Sequence, residues 1–237
     1  MCGRSSLTKI EKEIEARFHA TFYSEELERY NPLPNFNVAP THMVPVITNA
    51  EPDHLHIYRW GLIPFWAKDK SIGAKMINAR VETLMEKTAY KNLLASRRCI
   101  VPMDGFYEWK TTGKIKTPFR IVTTDQDIFS VAGLWDIWHV PETGEIIRSF
   151  TVITTAPNRM MEKIHDRMPA ILLPENEKLW LDKEIKADEA VQLIIPYPSE
   201  YMNAYEVSEK VNNVRANDPS LILPVNSSSK VTQTSLF

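Results

Sequence analysis

The chain has 237 residues, of which 43% are hydrophobic and 24% carry a charged side chain. This length is sufficient for one compact domain with a substantial apolar core, and no apolar run approaches the roughly 18 residues that span a bilayer. The formal net charge of -2 argues against a protein that coats nucleic acid by bulk charge, although it allows a local basic groove. The amino terminus shows no basic segment followed by an apolar stretch, so we expect a cytoplasmic protein.

Cysteine and histidine placement argues against a metal site. The chain contains two cysteines, Cys2 and Cys99, which are too few for the disulfide framework of a secreted scaffold. Neither belongs to a CxxC pair, the usual source of thiolate ligands in structural zinc sites. His54 and His56 alternate along a predicted strand, a pattern typical of a solvated strand face. We therefore expect no metal ion.

The first predicted element is an amphipathic helix over residues 9–19. Apolar residues recur there every four positions, and Thr8 followed by Glu11 forms a capping box at its start. This arrangement leaves Cys2 just upstream of the helix, on an extended arm.

Strands dominate the rest of the chain. Alternating or continuous apolar runs predict strands at residues 43–47, 54–62, 99–109, 119–122, 128–138 and 150–155. Turn sequences at residues 111–114 and 141–144 indicate hairpins, and shorter helices fit residues 81–93, 158–165 and 175–181. Because no regular βαβ alternation appears, we predict an α+β fold, with a largely antiparallel sheet or barrel-like core and peripheral helices.

One domain and a tail account for the chain. The domain covers residues 2–222, and the polar sequence that begins near Val225 predicts a flexible C-terminal tail over residues 223–237.

The tail ends in a pentapeptide that resembles the one with which bacterial replication and repair proteins dock onto the sliding clamp. A disordered linker with an apolar end suits such a groove. The candidate clamp-binding residues are Gln233, Leu236 and Phe237.

The reactive chemistry of the chain starts from Cys2. A small second residue permits removal of Met1, which leaves an α-amine and a thiol on one carbon skeleton. The amine condenses with an aldehyde to a Schiff base, and the thiolate then closes a five-membered thiazolidine ring. An α-amine has a pKa of about 7.7 to 8, so part of it is neutral and nucleophilic at physiological pH. Taken alone, Cys2 is weak evidence, because an accidental second residue explains it as well.

Five further motifs follow Met1-Cys2-Gly3-Arg4 in the chain. They are Phe36-Asn37-Val38-Ala39-Pro40, Trp60-Gly61-Leu62-Ile63-Pro64, Asn78-Ala79-Arg80-Val81-Glu82-Thr83, Gly105-Phe106-Tyr107-Glu108-Trp109 and His165-Asp166-Arg167-Met168-Pro169. In this order they resemble the SOS response-associated peptidase (SRAP) domain family, whose members shield abasic sites in single-stranded DNA. The resemblance covers roughly residues 2–222 and implies a catalytic domain with an SRAP-like fold. It also implies single-stranded DNA with abasic sites as the partner, and no cofactor, since the electrophile is already on the DNA.

The resemblance assigns roles to four catalytic residues. Cys2 would be the nucleophile that forms a thiazolidine with the ring-opened sugar aldehyde. Glu108, flanked by aromatic residues, matches the family's catalytic glutamate, and a partly desolvated carboxyl has a raised pKa suited to proton transfer. His165 matches the histidine that assists Schiff-base formation and ring closure. Asn78 would hold the sugar or the amino terminus by hydrogen bonds. Purely structural roles for the last three residues remain open.

The resemblance also implies a set of nucleic-acid-binding residues. Arg80 lies two residues after Asn78, on the same face of an extended segment, and would bind phosphate. Trp66 would stack on or wedge beside a base, although core packing explains it equally well. Because an abasic nucleotide lacks a base, we expect recognition of the DNA backbone with little sequence dependence. The full set is Arg4, Asn37, Trp66, Arg80, Thr154 and Arg167.

Several alternatives remain open at this point. The Schiff base could also undergo β-elimination, which gives weak lyase activity, and Cys2 assisted by Glu108 could remove Met1 by autoproteolysis. One rival function is a cysteine peptidase acting on protein substrates, with His165 as the base. Another is a non-catalytic module that binds single-stranded DNA. A protein with the DNA-directed function would be nucleoid-associated.

Overall fold

A computed structural model describes residues 2–225 of the chain, so Met1 and the candidate clamp-binding residues Gln233, Leu236 and Phe237 lie outside the described residues. The helices are α1 (Glu11–Phe18), α2 (Ser24–Tyr30), α3 (Thr88–Ser96), α4 (Glu177–Leu181) and α5 (Ala187–Gln192). None of the helices within this range has the length and apolar character needed to cross a bilayer. The strands are β1 (Ser5–Leu7), β2 (Thr21–Phe22), β3 (Asn35–Val38), β4 (Met43–Thr48), β5 (His54–Trp60), β6 (Asn78–Arg80), β7 (Arg98–Met103), β8 (Gly105–Thr112), β9 (Ile115–Thr123), β10 (Phe129–His139), β11 (Ile146–Thr155), β12 (Met168–Pro169) and β13 (Met202–Glu206).

The strands form two sheets. The five-stranded sheet has the order β13-β9-β8-β1-β3, and the eight-stranded sheet has the order β12-β11-β10-β7-β4-β5-β2, with β6 paired to β11. Most neighbours are antiparallel, and the parallel pairs are β2 with β5, β5 with β11 and β6 with β11. The predicted α+β class with a largely antiparallel core is therefore confirmed. Both predicted hairpins form as well, and Gly113 and Gly144 supply the positive φ angles, 62° and 70°, that their turns require.

Apolar packing covers both faces of the eight-stranded sheet. Val152 and Ile153 are neighbours in β11, and they belong to two different buried clusters because successive strand residues point to opposite faces. The cluster that contains Val152 also holds Cys2 and Phe106 from the region of the five-stranded sheet. Cys2 is thus buried where the two sheets meet.

The predicted strand at residues 99–109 is wrong, because the run is two strands in different sheets. β7 ends at Met103, and β8 begins at Gly105. Asp104 between them accepts hydrogen bonds from Ser6 Oγ at 2.6 Å and from Arg120 Nη2 at 3.0 Å. Hydrophobicity does not reveal the break, since both strands start from buried residues. After this break β8 pairs with β1, the strand that follows Cys2 in the chain.

Asp104 also explains why the predicted capping box is wrong. The backbone N–H and the hydroxyl of Thr8 both donate to Asp104 Oδ2, at 2.6 and 2.5 Å, so Thr8 does not cap α1. A buried carboxylate needs such donors more than an exposed helix end does. Ile10 takes the cap position instead, and its N–H donates to Glu13 Oε2 at 3.0 Å.

One predicted helix forms only in its second half, and another is largely absent. Residues 81–93 contain a 3-10 turn, Val81–Thr83, and the first six of the nine residues of α3. Residues 158–165 contain only the 3-10 turn Met161–Lys163. The side chain of Asn158 accepts hydrogen bonds from the backbone N–H groups of residues 160 and 161, at 3.1 and 3.0 Å, and this local turn competes with a helix.

The prediction of a solvated face for His54 and His56 is wrong for the second residue. The side chain of His56 is only 9% exposed and lies 3.7 Å from Glu26 and 3.3 Å from Glu51, measured from its ring nitrogens to the carboxylate oxygens. Tyr23 stacks on His54, with ring centroids 4.6 Å apart. Within residues 2–225, no three His, Cys, Asp or Glu side chains are arranged to hold a metal ion.

A buried hydroxyl in β11 leads to a stability prediction. Thr151 is fully buried, and its Oγ1 has no hydrogen-bond partner among the described residues. An unsatisfied buried polar group costs about 1–3 kcal/mol. Thr151→Val keeps the side-chain shape, so we expect it to raise the free energy of unfolding by about 1 kcal/mol, measured by urea denaturation at constant m-value. As the matched control, Thr123→Val removes a hydrogen bond to the Gln126 carbonyl and should lower it. A less stable Thr151→Val protein would contradict the prediction.

Candidate active site

The structure brings the four predicted catalytic residues together from separate parts of the chain. Cys2 enters on the segment before β1, which pairs with β8 through Ser5 and Phe106. Glu108 lies two residues farther along β8, Asn78 opens β6, and His165 follows the turn Met161–Lys163. The site therefore depends on long-range pairing between strands.

Cys2 is completely buried, and its thiol donates a long hydrogen bond of 3.9 Å to the carbonyl of Arg4. Burial raises the pKa of the Cys2 thiol above its ordinary value, and the negative charge of Glu108 raises it further. The sulfur is therefore a thiol at neutral pH. Because the thiolate is the nucleophilic form, Cys2 needs a base to take its proton.

Asn78 holds the backbone of Cys2. Its Nδ2 donates to the Cys2 carbonyl at 2.8 Å, and β6 is itself fixed by parallel pairing of Asn78 with Val152 in β11. Its Oδ1 is buried and accepts no hydrogen bond from the described residues. An amide oxygen has the capacity to accept from an amine or a hydroxyl.

Glu108 has a perturbed carboxyl. The residue is 3% exposed, and burial raises the pKa of Glu108 to about 7. The negative charge of Asp166 raises this pKa as well, whereas the Trp109 backbone N–H lowers it. Both protonation states are therefore accessible near neutral pH, as proton transfer in both directions requires.

His165 faces Glu108, with 3.8 Å between Nε2 and Oε2. Its Nδ1 lies 3.1 Å from the Arg167 backbone N–H and 2.8 Å from Asp166 Oδ1. One nitrogen does not accept from the amide and donate to the carboxylate in the same state, so the two contacts belong to different protonation or tautomeric states of the ring. Burial lowers the pKa of His165. The neutral ring, which can accept a proton, is thus favoured.

Three predicted DNA-binding residues lie beside this group. Thr154 pairs with Arg80 in the register of β11 and β6, and the Arg80 side chain is exposed. Arg167 donates from Nη2 to the carbonyl of Thr154 at 2.6 Å, and both of its terminal nitrogens contact Glu82, at 2.6 and 3.0 Å. Arg80 thus presents its charge to solvent, whereas the guanidinium of Arg167 is already engaged by a carboxylate.

Arg4 and Asn37 are buried instead of exposed. Arg4 Nη1 donates to Asn37 Oδ1 and to the Val211 carbonyl, both at 2.6 Å. The side chain of Asn37 is 1% exposed, and its Nδ2 donates to the carbonyls of Asn213 and Ala216 at 3.0 and 2.9 Å. These contacts fix the segment over residues 211–216. The structure does not place Asn37 where DNA would reach it.

Trp66 is half exposed, at 52%, next to Phe65, which is 68% exposed. The alternative of core packing for Trp66 is therefore wrong. With Lys68 and Lys75 it lines an open cavity of about 400 Å³, which is separate from the one that Glu108 lines.

The Glu108 carboxyl lies at a cavity of about 520 Å³. Two of the predicted residues, Glu108 and His165, line it. The lining residues that the sequence did not single out are Trp109, Thr111, Lys116 and Asn212. The predicted hairpin turn at residues 111–114 does imply that Lys116 lies opposite Thr111. No sequence signal indicates that Asn212 lines the cavity.

Comparisons with known proteins agree on the relationship of this chain. The family model described as SOS response associated peptidase (SRAP) matches residues 1–214. The chain is 45% identical to the abasic site processing protein YoqW of Bacillus subtilis (strain 168), over 94% of this chain and 99% of that protein. It is 32% identical to the abasic site processing protein HMCES of Xenopus tropicalis, over 95% of this chain and 78% of that protein.

The similarity extends to three-dimensional structure. A crystal structure of a protein from Bacteroides thetaiotaomicron matches this fold with a TM-score of 0.88 and 32% sequence identity, covering 94% of this chain and 100% of that chain. Sequence, fold and the geometry around Cys2 therefore lead to the same assignment. The chain belongs to the SOS response-associated peptidase (SRAP) family.

Proposed function

We propose that this protein senses abasic sites in single-stranded DNA and captures them covalently through Cys2 once Met1 has been removed. The observation that carries the proposal is the convergence on Cys2 of Asn78, which binds its carbonyl, and Glu108, whose charge acts on its thiol. The names of the relatives, which are abasic site processing proteins, support the choice of substrate.

The first chemical step joins the Cys2 amine to the sugar aldehyde. The nitrogen attacks the carbonyl carbon, a C–N bond forms, and the former carbonyl oxygen leaves as water to give an imine. Departure of water needs a proton donor, and the raised pKa of Glu108, about 7, keeps part of this carboxyl protonated at neutral pH. Asn78 holds the Cys2 backbone during the attack.

The second step closes the ring. The sulfur of Cys2 attacks the imine carbon, a C–S bond forms, and the imine nitrogen takes up a proton. Because the thiol is buried and protonated, a base must remove its proton, and the Glu108 carboxylate left by the first step has that capacity. His165, 3.8 Å away, would exchange protons between Glu108 and solvent.

We also propose DNA contacts for the predicted binding residues, which differ in how directly each one would contact DNA. Arg80 is exposed and suited to a phosphate. Arg167 would meet a phosphate only by sharing its guanidinium with Glu82, and Thr154 would act through its backbone and hydroxyl contacts with Arg167. Trp66 would stack on or wedge beside a base from its separate loop. Arg4 and Asn37 support this surface from the interior.

Intact-mass analysis tests the proposal directly. Incubation with a single-stranded oligonucleotide that carries one abasic site should give a species whose mass is protein without Met1 plus DNA minus one water. The adduct should survive denaturation without a reductant. A protein that lacks Met1 and forms no adduct would refute covalent capture.

Further activities of the same residues distinguish this function from its rivals. Removal of the neighbouring sugar proton at the imine stage would cut the DNA, and attack by Cys2 on the Met1 carbonyl would release Met1. We propose the first reaction as a weak lyase activity and the second as autoproteolytic removal of Met1. A cysteine peptidase would instead cleave added peptides, and a simple binding module would bind DNA without any adduct.

The C-terminal pentapeptide adds a proposed partner. The pentapeptide would dock onto the bacterial sliding clamp through Gln233, Leu236 and Phe237. This contact would bring the protein to replicating DNA and make it nucleoid-associated. Deletion of Leu236 and Phe237 should abolish clamp binding in a pull-down with purified clamp and leave adduct formation unchanged. Clamp binding that survives the deletion would exclude this role.

A further inference from the structure

We propose that the outer part of the catalytic cavity binds the nucleotide next to the abasic sugar, with Trp109 stacking on its base and Lys116 binding its phosphate. The inference rests on the proposed function, since it concerns the substrate that Cys2 captures. It adds a subsite made of residues that the capture chemistry does not use.

The cavity is large enough to hold a second group beside the ring-opened sugar. Its volume of about 520 Å³ lies within the range of about 300–1,000 Å³ found for pockets that enclose drug-sized ligands. A ring-opened sugar with five carbons is much smaller than such ligands. Glu108 and His165 line one part of the cavity and act on the aldehyde, whereas the remaining wall is left for a neighbouring group.

Trp109 forms a fixed stacking surface on that wall. Its Nε1 donates to Asn212 Oδ1 at 2.8 Å, and the guanidinium carbon of Arg4 lies 5.8 Å from its ring centroid. Contacts from both neighbours hold the ring, which is partly exposed. An aromatic ring that is already held loses little conformational freedom when a base stacks on it, and stacking accepts any base.

Lys116 supplies positive charge at the mouth of the same cavity. It pairs with Thr111 across the hairpin of β8 and β9, and both side chains are exposed and line the cavity. Directly opposite residues in an antiparallel pair lie on the same face of the sheet. An ammonium on a long flexible side chain suits a phosphate that approaches from solvent. Lys114 lies in the turn of the same hairpin and does not line the cavity.

This arrangement requires a nucleotide rather than a bare sugar. The chemical class of the occupant is a nucleoside monophosphate unit joined to the abasic sugar, of any sequence. 2-Deoxyribose offers the same aldehyde to Cys2 with neither a neighbouring base nor a phosphate. Comparison of the two substrates therefore separates the subsite from the chemistry.

The test compares Lys116→Ala with Lys114→Ala on an oligonucleotide that carries one abasic site. Lys116→Ala should raise the half-saturating DNA concentration for adduct formation roughly three- to tenfold at low salt, with the rate at saturation unchanged. Lys114→Ala should resemble the unchanged protein, and all three proteins should react equally with 2-deoxyribose. Equal half-saturating concentrations for the two variants would overturn the role of Lys116.

A second variant tests the stacking surface. With Trp109→Leu, replacement of the neighbouring base by hydrogen should no longer weaken binding, whereas Trp109→Phe should restore a dependence on the base. If Trp109→Leu keeps the full dependence, the base does not stack on this ring. Failure of the unchanged protein to react with both the oligonucleotide and 2-deoxyribose would instead refute the proposed function itself.

Discussion

Cys2→Ala is expected to abolish the adduct that survives denaturation, while noncovalent binding of single-stranded DNA remains. Alanine keeps the α-amine but lacks the sulfur, so the reaction stops at the imine, which water hydrolyses. Borohydride should therefore still trap the Cys2→Ala protein on abasic DNA, and omission of borohydride should leave no adduct. The measurement is a denaturing gel of the reaction with and without the reductant, supported by intact mass.

Cys99→Ala is the matched control for this change. Cys99 is also completely buried, and burial raises the pKa of its thiol as it does for Cys2. Both substitutions remove one buried sulfur atom and leave a similar small cavity, so a loss of stability alone would affect them alike. Cys99→Ala should form the adduct at the normal rate. An adduct of Cys2→Ala as durable as that of the unchanged protein would rule out a thiazolidine.

Glu108→Gln is expected to slow adduct formation by about 10²–10⁴-fold, the usual contribution of a positioned acid or base. Glutamine keeps the size of the side chain and its hydrogen-bonding capacity, but it neither donates nor accepts the transferred proton. Glu86→Gln, an exposed change on the surface, is the control and should have no effect. Stopped reactions analysed on denaturing gels measure both rates.

The same substitution should change the pH dependence of the rate. The attacking amine must be neutral, so the rate rises as pH approaches its pKa of about 7.7 to 8. The Glu108 carboxyl must be protonated to release water, so the rate falls as pH passes its pKa of about 7. The unchanged protein should therefore show a maximum near pH 7 to 8, and Glu108→Gln should lose the falling limb. A falling limb that persists in the variant would assign that limb to another group.

The pKa of Glu108 also predicts a pH-dependent difference in stability. Its value in the folded protein, about 7, lies above the ordinary value of 4.5. Between these two pH values the folded state holds the proton more tightly than the unfolded state, so the carboxyl lowers the free energy of unfolding progressively as pH rises through this window. Glu108→Gln should therefore gain stability relative to the unchanged protein from pH 4.5 to pH 7. Urea denaturation across this range measures the difference.

The sequence by itself was sufficient for features that depend on local pattern. Period-two apolar runs predicted the strands and hence the α+β class, and the glycines at positions 113 and 144 predicted turns where positive φ angles are needed. The identity of Cys2 carries its own chemistry, because a 1,2-aminothiol reacts with aldehydes in any fold. The motifs around Asn78, Glu108 and His165 then indicated residues that the tertiary structure does bring together.

Long-range contacts decided the remaining features. Asp104 separates β7 from β8 because Ser6, Thr8 and Arg120 donate hydrogen bonds to its carboxylate. The residues next to Asp104 in the sequence do not indicate these donors. The burial of Asn37 follows from hydrogen bonds to carbonyls more than 170 residues away in the chain. Local sequence encodes backbone preference and side-chain chemistry. Burial, and with it the pKa of Glu108, is set by which distant segments pack around the residue, so only the tertiary structure determined them.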